Sequence, residues 1–304
     1  MNVLITGISG YVGSRLAPRL LRDGHTVRGF SRQGGQPDCA VPVVKGDAVS
    51  GEGLERALEG VDVAFYLIHS MEPSANGPLD VRERQAAENF AAAARATGTG
   101  RIVYLGGLIP TSGPASAHLR SRLEVERILL EASPCSVALR CSIVIGAGSR
   151  SFRFLVRLVE RMPVLAVPAW RTRRTSPIDE RDLIEILARA AVSERVCGLS
   201  LDVGGPDLVS YGELIDRIRE LMLLDRPTLS FRRLTVTPIA SRVAAVIADE
   251  DYELIGPLME SLGEDLLLSD NRAAELLEVR LHSLDSAIEH ALREWEATEP
   301  LAAR

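Results

Sequence analysis

The amino-acid pattern predicts an α/β protein built on a doubly wound parallel sheet, with a smaller C-terminal lobe. Three observations predict it. Short apolar runs alternate with helically spaced apolar residues five times within the first ~100 residues, the rhythm of strand and helix in a parallel sheet. The runs are continuously apolar where a half-exposed strand would alternate, VDVAFYLI over 61–68 being the clearest, so both faces of the sheet are covered. Between the first run and the first helix stand three glycines, Gly7, Gly10 and Gly13, in VLITGISGYVGS.

Each element has its own warrant. Residues 3–5 are a strand, and Leu16, Leu20 and Leu21 mark one face of the helix over 15–21. A turn at Arg22–His25 leads to a second strand over 26–30, which ends at Ser31–Arg32. Strands follow over 41–45, 61–68 and 101–105, separated by helices over 54–58 and 80–97. A helix over 118–130, a sixth strand over 137–140 and a loop over 143–148 complete a core of residues 1–148. Residues 149–304 are expected to form mainly a second, substrate-binding lobe, with segments near 176–203 returning to the core. Within that region lie an amphipathic helix over 152–162, a helix over 183–191 and a strand over 199–203. Ser210-Tyr211-Gly212-Glu213 reads as a capping box for a helix running to about Leu224. The apolar stretch 236–262 reads as two short helices of a substrate lobe or lid, and a final helix spans 284–295.

A formal charge of −6 and a pI near 5.5 argue against a nucleic-acid partner, which would require a clustered basic face. Charges such as those in ERQAAE and ERDLIE read as solvated helix faces. Cys39, Cys135, Cys141 and Cys197 form no C-x-x-C pair, so neither a metal site nor a redox dithiol is expected; they read as small buried residues of a reducing cytoplasm. Met1 leads straight into a strand, which leaves no signal peptide, and no apolar run reaches the length of a membrane span. A cytoplasmic protein with no membrane partner, monomeric or homodimeric, is the expectation. Lys45 is the only lysine, so a catalytic lysine would have to be that residue.

A strand, a tight glycine turn and a helix aim the first helical N–H groups at whatever lies over the turn, and the helix dipole favours an anion there. A diphosphate fits, held at Gly7, Ser9, Gly10, Tyr11, Val12 and Gly13. This G-x-x-G-x-x-G spacing after Thr6 resembles the short-chain dehydrogenase/reductase superfamily, in particular its extended and atypical branches with NmrA-like members. The resemblance implies a Rossmann fold and a nicotinamide dinucleotide. The second strand ends in Ser31 and Arg32 with no acid nearby, which suits the 2′-phosphate of NADP(H) better than the free ribose of NADH. Gly46-Asp47-Ala48 resembles the family's adenine-contacting turn, with Asp47 as acceptor. Ile68 and His69, Ile143 and Arg122 are expected along the remainder of the cofactor.

Members of this superfamily commonly reduce a carbonyl with a serine after the fifth strand and a Y-x-x-x-K pair on the next helix. Hydride arriving at carbon leaves an alkoxide that must be stabilised or protonated. This sequence departs at all three positions: Gly106–Gly107 replace the serine, His118 stands for the tyrosine and Arg122 for the lysine. Three readings stay open. His118 donates to the oxygen while Arg122 holds the ribose; the substrate supplies its own stabilisation; or the chain binds NADP(H) without turnover, as a regulator or sensor of NmrA type. Ser70 and Trp170 are candidate substrate contacts, and Arg140 and Arg171–Arg174 candidate partners for an anionic group. The expected activity is NADPH-dependent reduction of a ketone on a bulky apolar or aromatic, polyketide-like molecule.

Overall fold

The structure is a computed structural model and describes residues 1–34, 41–68, 78–110, 117–161, 165–167, 169–224, 228–230 and 264–299. Six strands, β1 (Asn2–Thr6), β2 (Thr26–Ser31), β3 (Val43–Lys45), β4 (Val63–Tyr66), β5 (Arg101–Gly107) and β6 (Val137–Cys141), join Ser200–Val203 in one sheet. Its order is Ser200–Val203, β6, β5, β4, β1, β2, β3, and every pairing is parallel. The chain therefore winds outwards from β1 in both directions, and all strands end on one edge. The switch point lies between β1 and β4, where Thr6 pairs with Tyr66 on one side and with Phe30 on the other. Ligands of open α/β sheets sit outside such a point.

Helices cover both faces. On one, α1 (Tyr11–Arg22) and Glu180–Ala190 bury Leu16, Leu20, Leu183 and Leu187 against Ile5, Phe65 and Val103. On the other, α2 (Leu54–Leu58), α3 (Leu79–Thr97) and α4 (Ala117–Leu130) cover Leu4, Ala64, Tyr66 and Tyr104. The small faces of α3 let it lie close to the sheet, with Ala86, Ala87, Ala91 and Ala94 all buried. A separate core holds the second lobe, where helices Arg150–Arg161, Tyr211–Leu221 and Leu284–Thr298 enclose Phe152, Trp170, Ile215, Ile218, Leu292 and Trp295. The Tyr211–Leu221 helix opens with the anticipated capping box of Ser210 and Glu213.

Three readings need correction. Residues 143–148 are not wholly a loop: Val144–Ile145 pairs in parallel with Ile178–Asp179, because the returning chain passes beside it. Residues 272–281 also come back to the sheet, burying Ala273 and Leu277 beside the residues under the Glu180 helix. Cys135 and Cys197 are bonded as a disulfide across 62 residues of sequence. The separation hid the pair, but β6 and Ser200–Val203 are parallel neighbours, so the segments leading into them run side by side. Cys141 is the free cysteine among the described residues, and burial pushes its thiol up to about 12. Cys39 and the stretch 236–262 lie outside the described residues. Among the described residues, no helix is long and apolar enough to cross a membrane.

Candidate functional site

The glycine turn is built from β1 upwards. Buried Thr6 donates its hydroxyl to the Phe65 carbonyl (3.0 Å) and accepts from the Leu67 N–H (3.1 Å), locking the end of β1 to the end of β4. Gly7 then turns with φ +68, and a side chain there would meet the Leu67 carbonyl. A Cβ at Gly13 would lie 2.4 Å from the Gly7 carbonyl and 2.8 Å from the Ile8 Cα, so only glycine lets α1 sit on the turn. Gly10 differs: its Cβ would meet only the Gly7 carbonyl, at 3.1 Å, and otherwise points into open space. Ser9 and Gly10 are exposed, Tyr11 and Val12 half-buried. Gly10 is the N-cap of α1, with no side-chain cap and no acid in the first turn. The positive end of the helix thus faces a side left clear by glycine, which is the cradle a diphosphate requires.

Tyr11 carries a second connection. Its hydroxyl donates to Glu180, and its ring lies against Gly146 and Gly148, where a Cβ would strike it. Burial, reinforced by the charge of Glu180, pushes the Tyr11 pKa well up; burial likewise raises that of Glu180. Arg15 approaches the same carboxylate at 3.9 Å and pairs with Glu294. The turn is thereby tied to the loop that carries Ile143, whose carbonyl accepts from the Ile178 N–H (2.9 Å).

At the end of β2, Ser31 is buried and its hydroxyl accepts from the Gln33 N–H (3.2 Å), while Arg32 is exposed. Neighbouring Asp47 spends one oxygen on the Val49 N–H (2.8 Å), so it shapes its own turn. Ala48 is buried there, and Asn89 of α3 donates to the carbonyls of Ala48 (3.1 Å) and Val49 (2.8 Å). Asn89 is a supporting residue that the linear pattern did not reveal.

On α4, Arg122 is buried and its Nε lies 3.6 Å from Glu83 Oε1 of α3. Ser121 donates to the other Glu83 oxygen (2.6 Å), and the Tyr104 hydroxyl donates to the Arg122 carbonyl (3.3 Å). Tyr66, Ile68, Glu83, Ala86, Tyr104, Arg122 and Val125 line a small cavity between the sheet and these helices. Burial raises both tyrosines, Tyr104 to about 12, so both stay protonated donors. The pattern ERQAAE implies a solvated position for Glu83, and ERDLIE for Glu180 and Asp182, but all three are buried. The one available signal is the helical position of Glu83, three and four residues before Ala86 and Ala87 and seven before Phe90, all of which face the sheet.

His118 lies one turn before Arg122 on α4, at the spacing that shares a helix face; its side chain is outside the described residues, as are His69 and Ser70. Trp170 is a core residue of the second lobe, 4% exposed and packed edge-to-face on Tyr211 at 5.9 Å, which corrects its reading as a substrate contact. Arg140 is likewise committed, clamped on Glu126 by two hydrogen bonds of 2.9 and 2.7 Å. A Cβ at Gly107 would meet only Leu119, at 3.7 Å, so a serine would fit; the missing donor is not a matter of space.

Comparison with known proteins agrees with this geometry. Residues 7–131 match the NAD(P)H-binding family model. The chain is 27% identical over 263 residues to an uncharacterised protein of Mycobacterium tuberculosis, a match covering 86% of this chain and 27% of that protein's length. It is 27% identical over 194 residues to the 2-alkyl-3-oxoalkanoate reductase of Stenotrophomonas maltophilia, covering 53% of this chain and 56% of that one. Its fold superposes on the UDP-glucose 4-epimerase of Thermotoga maritima with a TM-score of 0.75 at 14% identity, covering 98% of this chain and 99% of the other. The glycine cradle and the parallel sheet thus coincide with an NAD(P)H-binding domain over residues 7–131, and the whole chain shares its fold with a nucleotide-sugar epimerase.

Proposed function

We propose that the chain is an NADPH-dependent reductase of a carbonyl on a bulky apolar or aromatic small molecule. The observation that carries this reading is Arg122. A guanidinium at the position of the family's lysine is buried and answered by Glu83, at a desolvation cost that simple packing would avoid. The similarity to an oxoalkanoate reductase supports the reaction class. Ser31 and Arg32, at an acid-free strand end, support the choice of NADPH.

When bound, the reduced nicotinamide supplies the hydride that reaches the carbonyl carbon. The chain's own residues do the rest. The N–H groups at the start of α1 would hold the diphosphate, and Arg32 would pair with the 2′-phosphate. Arg122 would hold the nicotinamide ribose, with Glu83 fixing the guanidinium. His118, one turn earlier, would donate an imidazole N–H to the oxygen as it gains charge.

The test is NADPH oxidation by purified protein over a panel of bulky aromatic and aliphatic ketones. Turnover that His118→Ala slows at least tenfold, without weaker cofactor binding, supports the mechanism. Turnover indifferent to His118→Ala but dependent on a substrate hydroxyl assigns stabilisation to the substrate. Tight NADPH binding with no turnover on the whole panel overturns the reductase reading in favour of a regulator. Arg32→Ala should weaken NADPH about 10-fold or more and NADH hardly at all; equal losses would sink the cofactor choice.

A further inference from the structure

We propose that Cys135 and Cys197 form a reversible dithiol–disulfide site, in which Arg101 holds the Cys135 sulfur as a thiolate and Glu194 takes the proton of Cys197. The site lies at the amino edge of the sheet, opposite the glycine turn, and is independent of the reductase reading. Arg101 is the first residue of β5 and only 5% exposed. One of its terminal nitrogens lies 2.9 Å from Cys135 Sγ, 3.2 Å from Cys197 Sγ and 2.9 Å from Glu194 Oε1. The other terminal nitrogen donates to the Ala190 carbonyl (2.9 Å), which fixes the guanidinium against the sulfurs. Glu194, whose side chain is 84% exposed, reaches Cys197 Sγ at 3.3 Å and Cys135 Sγ at 3.7 Å. The two sulfurs are therefore inequivalent: Cys135 is nearer the cation and Cys197 nearer the carboxylate.

That arrangement suits exchange chemistry better than either alternative. Cys135, Glu194 and Cys197 are close enough to share a metal ion, but a fixed guanidinium within hydrogen-bond distance of all three opposes a cation. A purely structural staple gains nothing from a buried positive charge, since disulfide sulfurs are neutral. A thiolate does gain from it, so Arg101 stabilises the reduced form and makes the disulfide easier to reduce. Both cysteines are half-exposed, which admits a small oxidant or reductant.

The oxidant is a low-molecular-weight disulfide such as oxidised glutathione. The Cys135 thiolate attacks one of its sulfurs, forming a mixed disulfide and releasing the first thiolate. Cys197 gives its proton to Glu194 and attacks the Cys135 sulfur, closing the protein disulfide and releasing the second. Two electrons pass from the cysteine sulfurs to the small disulfide, which leaves as two thiolates; the Cys197 proton passes through Glu194 to one of them, and water supplies a proton to the other in place of the one that Cys135 had already given up. Excess reduced thiol runs the sequence backwards.

The test uses the full chain carrying Cys39→Ser, with Cys141, whose thiol is pushed up to about 12, as an internal slow-reacting control. The fully reduced protein is alkylated with iodoacetamide across a pH series, and modification is mapped by peptide mass. Cys135 is expected to titrate at least one pH unit below the ~8.5 of a free thiol, with Cys197 above it. Arg101→Gln should return Cys135 to the ordinary range. Because losing a buried arginine can unfold the chain, surface Glu194→Gln provides the second arm: the Cys135 midpoint stays low, while the mixed disulfide with glutathione persists several-fold longer. An ordinary midpoint for Cys135, or failure of the reduced protein to form the disulfide with oxidised glutathione, would overturn the proposal.

Discussion

The two ends of β5 handle charge in opposite ways. At the amino end, Arg101 is surrounded by protein partners, with two sulfurs, a carboxylate and a carbonyl within hydrogen-bond distance. At the carboxyl end the strand finishes in Gly106–Gly107, and the neighbouring turn presents an uncapped helix terminus beside the open face of Gly10. One edge completes its own electrostatics, while the other leaves donors for something that is not part of the chain. The parallel fold makes that division possible, because every strand enters at one edge and leaves at the other. Stability and binding should therefore separate by edge.

The largest expected effect is at the amino edge. A bond closing a loop of 62 residues restricts the unfolded chain enough to stabilise the fold by about 4 kcal/mol in the chain-entropy account. Denaturant melts of oxidised and reduced protein should differ by about that amount, with little change in affinity for the nicotinamide cofactor. A shared loss of affinity would mean that the edges are coupled.

Next come the two glycines of the turn. Gly13→Ala drives a Cβ into backbone at 2.4 and 2.8 Å and should cost about 1–3 kcal/mol of stability together with nearly all cofactor binding. Gly10→Ala should change stability by less than about 1 kcal/mol yet weaken nicotinamide-cofactor binding at least 10-fold, because its Cβ occupies the ligand's side. Paired thermal melts and fluorescence titrations check this. Equal destabilisation by both would make the turn structural throughout.

Glu83→Gln probes the interior of the carboxyl edge. It leaves Arg122 charged and buried with a weaker partner, while the amide still accepts from Ser121. A loss of about 2 kcal/mol is expected, below the ~3–5 kcal/mol of removing a buried partner outright, because the Nε contact is 3.6 Å and the amide still accepts a hydrogen bond. If Arg122 acts only in packing, Glu83→Gln should leave the cofactor KM where it was; if Glu83 positions Arg122, KM rises as well.

The sheet and the glycine turn were legible because their signals are local: apolar runs, helical spacing, and glycines where backbone meets backbone. Trp170 misled for the converse reason, since an aromatic among prolines and arginines looks exposed until Tyr211 and the helices around it are assembled. Glu83 and Glu180 were hidden because burial of a charged residue depends on what packs over it. Glu83 reads as a solvated position until α4 brings Ser121 and Arg122 against α3. Cys135 and Cys197 meet only through strand order, a property of the whole sheet.

The smallest expected effect is a pH dependence at the joint between the turn and the second lobe. Glu180 is buried beside Tyr11, with Glu294 adding like charge and Arg15 partly opposing both. Burial holds its proton to higher pH in the folded chain than the ordinary 4.5 of the unfolded one. Between those two values the folded state binds more protons, so stability falls as pH rises through that window, and the full penalty is reached only above the folded value. Glu180→Gln removes the titration but keeps an acceptor for the Tyr11 hydroxyl. Melting temperatures of the variant and the parent should therefore agree near pH 4.5 and diverge above it, the variant becoming the more stable. Parallel curves would mean that Arg15 cancels the cost of burial. Tyr11→Phe separates the two contributions: without the phenol the Glu180 carboxylate loses a donor to its charged form, so the decline with pH should steepen.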